Sequence, residues 1–228
     1  MKTKSNVLKI AVIAALSSLA WNASAVTIVK DVSNTVIIPG ITGFGTTGAD
    51  MNGMTIRAVF GDGTDQTLAW GATGPGAGAV SGTDWGITQA GTTFANNSWR
   101  FTNNTGSALL DLWIDGSTGL TLLDTTNPSP GTTDSASGKD FAVNFGNSNF
   151  ITATYSNIVA VSPATAGVRD IFHNLHVDFG TAGVTRNFRF TQDTDNDARF
   201  VNVPEPTTLA LLGLGLAGFG FSRRKKLG

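Results

Sequence analysis

Three aspartates alternate with uncharged residues in the run DTDND, which extends from Asp193 to Asp197. Carboxylates at alternate positions can converge on one calcium ion when the chain coils into a loop. In a twelve-residue calcium loop that begins at Asp193, however, the glycine position holds Ala198 and the bidentate glutamate position holds Pro204. The run is therefore not an EF-hand. It predicts either a looser calcium site at Asp193, Asp195 and Asp197 or a solvated polar turn.

Trp113 is the aromatic residue whose neighbours best fit a binding role. In the run from Ala108 to Asp115 the even positions are Ala, Leu, Leu and Ile, which predicts the core face of a strand. Trp113 shares the opposite face with Asp111 and Asp115. An exposed indole can stack on a sugar ring while carboxylates accept hydrogen bonds from the hydroxyl groups. These three residues predict a carbohydrate-binding surface, unless a neighbouring loop covers the indole. Trp70, Trp85 and Trp99 are expected to anchor the core or loops.

Two histidines, His173 and His176, lie three residues apart, a spacing that would place both on one face of a helix. The surrounding residues alternate between apolar and polar, which is typical of a β-strand instead. A strand directs the two imidazoles to opposite faces. We therefore expect His173 to face the core, and we do not expect the pair to bind zinc or to take part in catalysis.

No residue stands out as catalytic. The chain has no cysteine and no G-x-S-x-G motif, and no pair of carboxyl groups stands out as the acid and base of a glycosidase. We expect a non-enzymatic protein. The alternative is a secreted carbohydrate-active hydrolase that uses aspartates.

The composition of residues 26–202 excludes one class of partner and indicates a fold class. This stretch contains fifteen aspartates, no glutamate, two lysines and six arginines, which gives a net charge of −7. Nucleic-acid binding needs basic surfaces that neutralise phosphates, so no nucleic-acid partner is expected. The scarcity of Glu and Lys disfavours exposed helices, whereas Thr, Asn, Asp and Gly favour strands and turns.

Short strand-like runs separated by turn residues predict an all-β fold, a single β-sandwich or jelly-roll-like domain. The turn Gly61–Thr64 predicts a hairpin. Two stretches, Gly71–Asp84 and Asp124–Asp140, are predicted as long loops because they are rich in Gly, Ala, Pro or Ser. The predicted strands are Thr27–Val29, Val36–Ile38, Thr55–Phe60, Gln66–Trp70, Trp85–Gln89, Trp99–Thr102, Ala108–Ile114, Leu120–Leu123, Phe141–Phe145, Ile151–Tyr155, Ile171–Phe179, Arg186–Phe190 and Phe200–Val201.

The N-terminus has the three parts of a secretory signal peptide. Three lysines precede an apolar run from Ile10 to Ala20, and the small residues Ala23–Ala25 follow it. We expect cleavage after Ala25, so that residues 1–25 are removed and the mature chain begins at Val26.

The C-terminus combines a Pro-Glu-Pro motif, an apolar segment and a basic run. Pro204, Glu205 and Pro206 precede the uncharged segment Leu209–Phe221, and the chain then continues with Arg223, Arg224, Lys225 and Lys226. The two prolines keep Glu205 extended and outside any helix. The apolar segment is short for the roughly 30 Å hydrocarbon core of a bilayer, which suits transient insertion better than permanent anchoring.

This three-part order resembles the PEP-CTERM sorting signal over residues 203–228. The family occurs on exported proteins of Gram-negative bacteria that make exopolysaccharide, and a membrane protease-transpeptidase, exosortase, removes the tail. The resemblance implies that Pro204–Pro206 is the recognition motif, Leu209–Phe221 a transient inner-membrane transmembrane segment and Arg223–Lys226 the basic stop. Residues 26–202 more loosely resemble the uncharacterised exported β-domains that precede such tails, in Asp50–Met54, in SWRFTNNTG and in Asp193–Asn196. The protein is thus expected at the cell surface or in the extracellular matrix (the biofilm), as a structural or adhesive component associated with exopolysaccharide.

Overall fold

The structure is a computed structural model that describes residues 26–42, 45–126, 138–145, 151–161 and 170–198. Within these ranges the chain forms sixteen β-strands and two short 3-10 helices, and it contains no α-helix. The all-β prediction is confirmed. No helix among the described residues has the length and apolarity required to cross a membrane. The predicted signal peptide (1–25), the predicted strand 200–201 and the predicted sorting segment (203–228) lie outside these ranges.

The strands are short, and most are five residues long or less. The 3-10 helices cover Gly48–Met51 and Ser117–Gly119. In chain order the strands are β1 Val26–Lys30, β2 Thr35–Ile38, β3 Ile41–Thr42, β4 Thr55–Phe60, β5 Asp65–Ala69, β6 Gly71–Gly74, β7 Ala77–Ser81, β8 Trp85–Ala90, β9 Trp99–Asn103, β10 Leu109–Asp115, β11 Thr121–Asp124, β12 Ala142–Val143, β13 Ile151–Val161, β14 Ile171–Asp178, β15 Phe188–Thr191 and β16 Asp193–Asp197.

These strands form two sheets. The ten-stranded sheet has the order β3-β16-β11-β14-β10-β4-β5, and β13 pairs with β14 and carries β1 and β2 beside it. The six-stranded sheet has the order β12-β15-β9-β8-β7-β6. Pairing is antiparallel throughout both sheets, except that β1 and β2 run parallel to β13. The predicted hairpin is confirmed, because Phe60 N donates to Thr64 O at 2.8 Å between β4 and β5.

One apolar core joins the two sheets. Strand β4 buries every second residue, Ile56, Ala58 and Phe60, as the alternation of its sequence predicts. The six-stranded sheet contributes mainly aromatic rings, and Trp99 stacks on Phe190 with centroids 5.3 Å apart. Each fully buried apolar side chain of this size contributes about 1.5–3 kcal/mol. Because the chain has no cysteine, this core has no disulfide to support it.

The prediction of a loop over Gly71–Asp84 is wrong, since this segment contains the hairpin β6–β7. Glycine and alanine have low strand propensity, which is why the local sequence does not reveal it. The small residues are required by close packing against the first 3-10 helix. A Cβ on Gly78 would lie 2.2 Å from Gly48 O. The carbonyl of Gly48 also accepts a hydrogen bond from Trp70 Nε1 at 2.7 Å.

Candidate functional site

Trp113 lies on the outward face of the ten-stranded sheet, between two strands that contribute its neighbours. Strand β10 buries Leu112 and Ile114 in the core, so Trp113 lies on the opposite side, as predicted, and it is half-buried there. Cross-strand pairing places Trp113 directly opposite Arg57 of β4 and, on its other side, opposite His176 of β14. Three planar side chains thus form one row across adjacent strands.

The three planar groups of this row are stacked. The rings of Trp113 and His176 are nearly parallel, with centroids 4.2 Å apart and an interplanar angle of 3°. The guanidinium carbon of Arg57 lies 4.6 Å from the indole centroid, a distance typical of a cation–π contact. Because Arg57 and His176 come from strands on opposite sides of β10, they cover opposite faces of the indole. Among the described residues, the cover on this ring thus comes from the neighbouring strands, and a ligand would meet the edge of the ring and not its face.

Carboxylates anchor both outer members of the row. Arg57 Nε and Nη2 donate to the two oxygens of Asp65 at 2.8 and 2.6 Å. The hydrogen bonds from Arg57 hold the pKa of Asp65 below its ordinary value, and those same bonds raise the pKa of Arg57. On the other side His176 Nε2 lies 2.8 Å from Asp111 Oδ1. The row is thus held in place at each end by a charged partner.

A surface cavity of about 440 Å³ opens over this row. Asp115 lines this cavity. Asp111 does not line it, but its carboxylate contacts and orients His176, which does. The row and the cavity together are called the Trp113 site below. Its polar lining residues are Thr55, Thr67, Asp115, Ser156 and Asn174. Hydroxyl, amide and carboxylate groups of this kind can exchange hydrogen bonds with sugar hydroxyl groups.

The indole N–H separates Trp113 from the other tryptophans of the described chain. Trp70, Trp85 and Trp99 are all at most 4% exposed, and each donates its N–H internally, to Gly48 O, Gln66 Oε1 and Gln192 O respectively. The prediction that these three are anchors is confirmed. Trp113 Nε1 makes no hydrogen bond to any residue in the described ranges, so its donor is free for a ligand or water.

Sequence reasoning found Trp113, Asp111 and Asp115 but missed Arg57 and His176 as members of this site. Alternation places both missed side chains on the polar faces of their strands. What the sequence does not reveal is that β4 and β14 are the two neighbours of β10, because the pairing joins segments more than fifty residues apart. The predicted orientation of the two histidines is confirmed, since His173 is buried and His176 lies on the opposite, outward face.

The DTDND run forms strand β16 and is buried between β11 and β3. The prediction of a solvated turn is wrong, because all five residues are buried and extended. Within the described ranges, no group of three or more His, Cys, Asp or Glu side chains is placed to hold a metal ion. Calcium binding at Asp193, Asp195 and Asp197 stays a prediction. It would require this run to adopt a coiled conformation in place of the strand.

Asp193 belongs to a buried network of hydroxyl groups. Its Oδ1 accepts hydrogen bonds from Thr93 Oγ1 and from the backbone N–H of Thr194, both at 3.0 Å. The hydroxyl of Thr46 contacts both Thr93 and Thr194 and completes the network. Burial raises the pKa of Asp193 above its ordinary value, and the hydrogen bonds and Lys139 offset part of that rise. In this structure the run therefore contributes a buried strand and the hydrogen-bond network around Asp193.

Replacing Asp193 by Asn is expected to alter how stability depends on pH. Because its pKa is raised in the folded protein, this carboxyl favours folding below its unfolded pKa of about 3.9, and that contribution is lost as pH rises through the folded value. Asn keeps the acceptor oxygen but does not ionise. The melting temperature of Asp193→Asn relative to that of the unaltered protein should therefore rise between pH 4 and pH 7.

Asp62→Asn is the matched control for this measurement. Asp62 is exposed, and hydrogen bonds from Thr64 lower its pKa, so its contribution is lost as pH falls and not as pH rises. The two variants should consequently show opposite trends. A difference for Asp193→Asn that is constant or falls with rising pH would contradict the assignment.

The comparisons with known proteins concern the C-terminus. Residues 202–225 match the family model described as the PEP-CTERM protein-sorting motif. The chain carries a PEP-CTERM sorting motif. The match contains Pro204, Glu205 and Pro206, the apolar segment, and the basic residues up to Lys225. A PEP-CTERM motif indicates an exported protein that exosortase processes. No curated protein and no solved structure matches the chain.

Proposed function

We propose that the exported β-domain is a non-enzymatic structural or adhesive component of the cell surface or extracellular matrix, and that it binds exopolysaccharide at the Trp113 site. The observation that carries the proposal is the free indole N–H of Trp113 at a polar surface cavity, beside two planar side chains that carboxylates hold in place. The other described tryptophans use this donor inside the protein.

Binding would use the edges of the stacked groups. The indole N–H and the guanidinium of Arg57 can donate hydrogen bonds, and the carboxylate of Asp115 and the amide oxygen of Asn174 can accept them. A sugar hydroxyl group can therefore find a partner both as an acceptor and as a donor. The carboxylate of Asp115 already accepts hydrogen bonds from the N–H and the hydroxyl of Ser117, at 2.9 and 2.6 Å. This fixes the acceptor before a ligand arrives, which lowers the entropic cost of binding.

The PEP-CTERM motif supports the location that the proposal requires. In this proposal Pro204–Pro206 is the motif that exosortase recognises, the apolar segment inserts transiently into the inner membrane, and Arg223–Lys226 stop translocation on the cytoplasmic side. After exosortase removes this tail the domain is released from the inner membrane. We place it at the surface or in the matrix of a Gram-negative bacterium, where exopolysaccharide is its partner.

A secreted carbohydrate-active hydrolase is the second candidate, and one contact favours it. The carboxylate of Asp111 lies 2.8 Å from His176 Nε2, and His176 lines the cavity. A carboxylate-oriented imidazole beside a sugar site could transfer protons. Release of reducing ends from the matrix polysaccharide, abolished by Asp111→Asn, would establish this function in place of the first.

The experiment that tests the binding proposal removes the indole N–H. Trp113→Phe keeps an aromatic ring between Arg57 and His176 but has no donor, so its retention on purified matrix polysaccharide should fall by about fivefold, the value of one hydrogen bond. The retention of Trp113→Ala, which also removes the stacked ring, should be lower still. Retention is measured by affinity electrophoresis in gels that contain the polysaccharide of the native host.

Phe94→Ala is the control, because Phe94 is also an aromatic residue on the surface and packs under Lys139, away from the Trp113 site. Its retention should equal that of the unaltered protein. Full retention of both Trp113 variants, with circular dichroism showing that they are folded, would refute sugar binding at this site.

A further inference from the structure

The two sheets differ sharply in charge. The strands of the ten-stranded sheet contain eight aspartates, one lysine and one arginine. The strands of the six-stranded sheet contain no acidic residue and carry two arginines, Arg100 and Arg189. A domain whose net charge is −7 therefore has one sheet without negative charge. At this sheet an anionic ligand would meet the least local repulsion.

The two arginines lie directly opposite each other. Arg100 of β9 pairs with Arg189 of β15, and the flanking residues Trp99 and Phe190 point into the core, so both guanidinium groups project from the outer face. Like charges opposite each other on adjacent strands destabilise a sheet. No carboxylate in the described ranges lies within ion-pair distance of either arginine. The described part of the chain thus supplies no counter-charge for the pair.

A third arginine joins them at an open cleft of about 500 Å³. Arg186 packs its guanidinium carbon 4.9 Å from the ring centroid of Phe145, which holds the side chain over the cleft. Arg189 Nη1 donates to Asn97 O at 3.3 Å, so this guanidinium is also oriented by the protein. Asn144 and Asn187 add amide groups to the lining. These three arginines and two asparagines form the arginine cleft.

We propose that the arginine cleft binds the carboxylate groups of an acidic polysaccharide. The planar guanidinium matches a carboxylate through two parallel hydrogen bonds, and three such groups that have no acidic partner among the described residues provide sites for more than one carboxylate. Arg186 lies in a bend just before β15, and Arg189 lies within β15, so the two guanidinium groups reach the cleft from separate positions along the chain. Separate positive charges suit the charges that are repeated along a polymer, and the open cleft admits a chain that extends beyond both ends.

The inference rests on the proposed association with exopolysaccharide and adds a second site on the opposite sheet from Trp113. It also specifies the chemistry of the polymer: uronic acid units carry carboxylates, and these supply the negative charge that the lining of the arginine cleft does not contain. The ligand also relieves the repulsion between Arg100 and Arg189. Binding should weaken as salt rises, since exposed charges are screened within about 10 Å at 0.1 M ionic strength.

The test compares defined polymers with the purified protein. Polygalacturonate is the carboxylated probe, dextran the neutral probe and double-stranded DNA the phosphate probe, each measured by biolayer interferometry at low and moderate salt. The double variant Arg100→Gln/Arg189→Gln should bind polygalacturonate about tenfold more weakly, as the loss of charge-assisted contacts requires. The double variant Arg100→Lys/Arg189→Lys keeps the charge but not the bidentate geometry. Its affinity for polygalacturonate should lie between those of the unaltered protein and the Arg→Gln double variant.

Lys30→Gln/Lys139→Gln is the matched control, because it removes the same net charge at sites that do not line the cleft. Its affinity for polygalacturonate should be unchanged. The inference is overturned if the protein does not bind polygalacturonate, or if it binds DNA as tightly as polygalacturonate. It is also overturned if the Arg→Gln double variant binds polygalacturonate as tightly as the unaltered protein, or if the lysine control loses as much affinity as the Arg→Gln double variant. Binding to polygalacturonate without retention on the native matrix would instead reject the proposed function and leave the cleft assignment standing.

Discussion

Replacing Pro204, Glu205 and Pro206 by alanines is expected to abolish processing and to leave the full C-terminus on the protein. The match to the PEP-CTERM motif includes these three residues. Proline disfavours helical backbone at and before its own position, whereas alanine favours it, so the substitution should remove the preference of this motif for an extended conformation. A protease reads an extended strand, so the variant should remain in the inner-membrane fraction with its apolar segment attached.

Mass spectrometry of the C-terminal peptide from each cell fraction measures this outcome. The unaltered protein should start at Val26, end near Pro204–Pro206 and lie outside the inner membrane. Thr207→Ala/Thr208→Ala, immediately beyond the motif, should be processed normally. A triple-alanine variant that is still trimmed and released would show that recognition does not depend on Pro-Glu-Pro.

Gly78→Ala is expected to be the most destabilising single methyl addition among the described residues of the β6–β7 hairpin. The new Cβ would lie 2.2 Å from both Gly48 O and Trp70 Nε1, two atoms that hydrogen-bond each other. Overpacking and the loss of this buried hydrogen bond should together cost about 3 kcal/mol or more. In a domain of this size that lowers the melting temperature by roughly 6–12 °C.

Gly74→Ala is the matched control on the neighbouring strand, because a Cβ at Gly74 meets nothing within 4 Å. The same methyl group should leave the melting temperature unchanged or raise it slightly, since alanine restricts the unfolded chain more than glycine does. Thermal unfolding followed by circular dichroism measures both variants. Equal melting temperatures would mean that the first 3-10 helix does not pack on the hairpin as described.

Much of the all-β architecture could be predicted because period-two alternation is a local property. Strand β10 shows this from Asp111 onward: Leu112 and Ile114 are buried and Trp113 is not, as the sequence alone indicates. The opposed faces of His173 and His176 follow from the same rule. The PEP-CTERM motif is likewise readable from the sequence, because it is a short linear signal.

Strand β16 and the hairpin β6–β7 could not be predicted, since both contradict local propensity. The DTDND run has the composition of a turn, yet Thr46, Thr93 and β11 satisfy its polar groups inside the protein. Gly78 has poor strand propensity, yet only glycine fits against Gly48. In both cases packing partners that are distant in sequence override the local preference.

The sequence by itself determined the fold class, the face of the strand on which Trp113 lies, the lack of disulfides and the sorting motif. Only the tertiary structure decided that Arg57 and His176 enclose Trp113, and that Arg100 faces Arg189. The physical reason is that alternation specifies which side of a sheet a residue faces but not which strand lies beside it. Strand order is set by long-range pairing and by the closure of the common core, and these bring together the residues of both proposed sites.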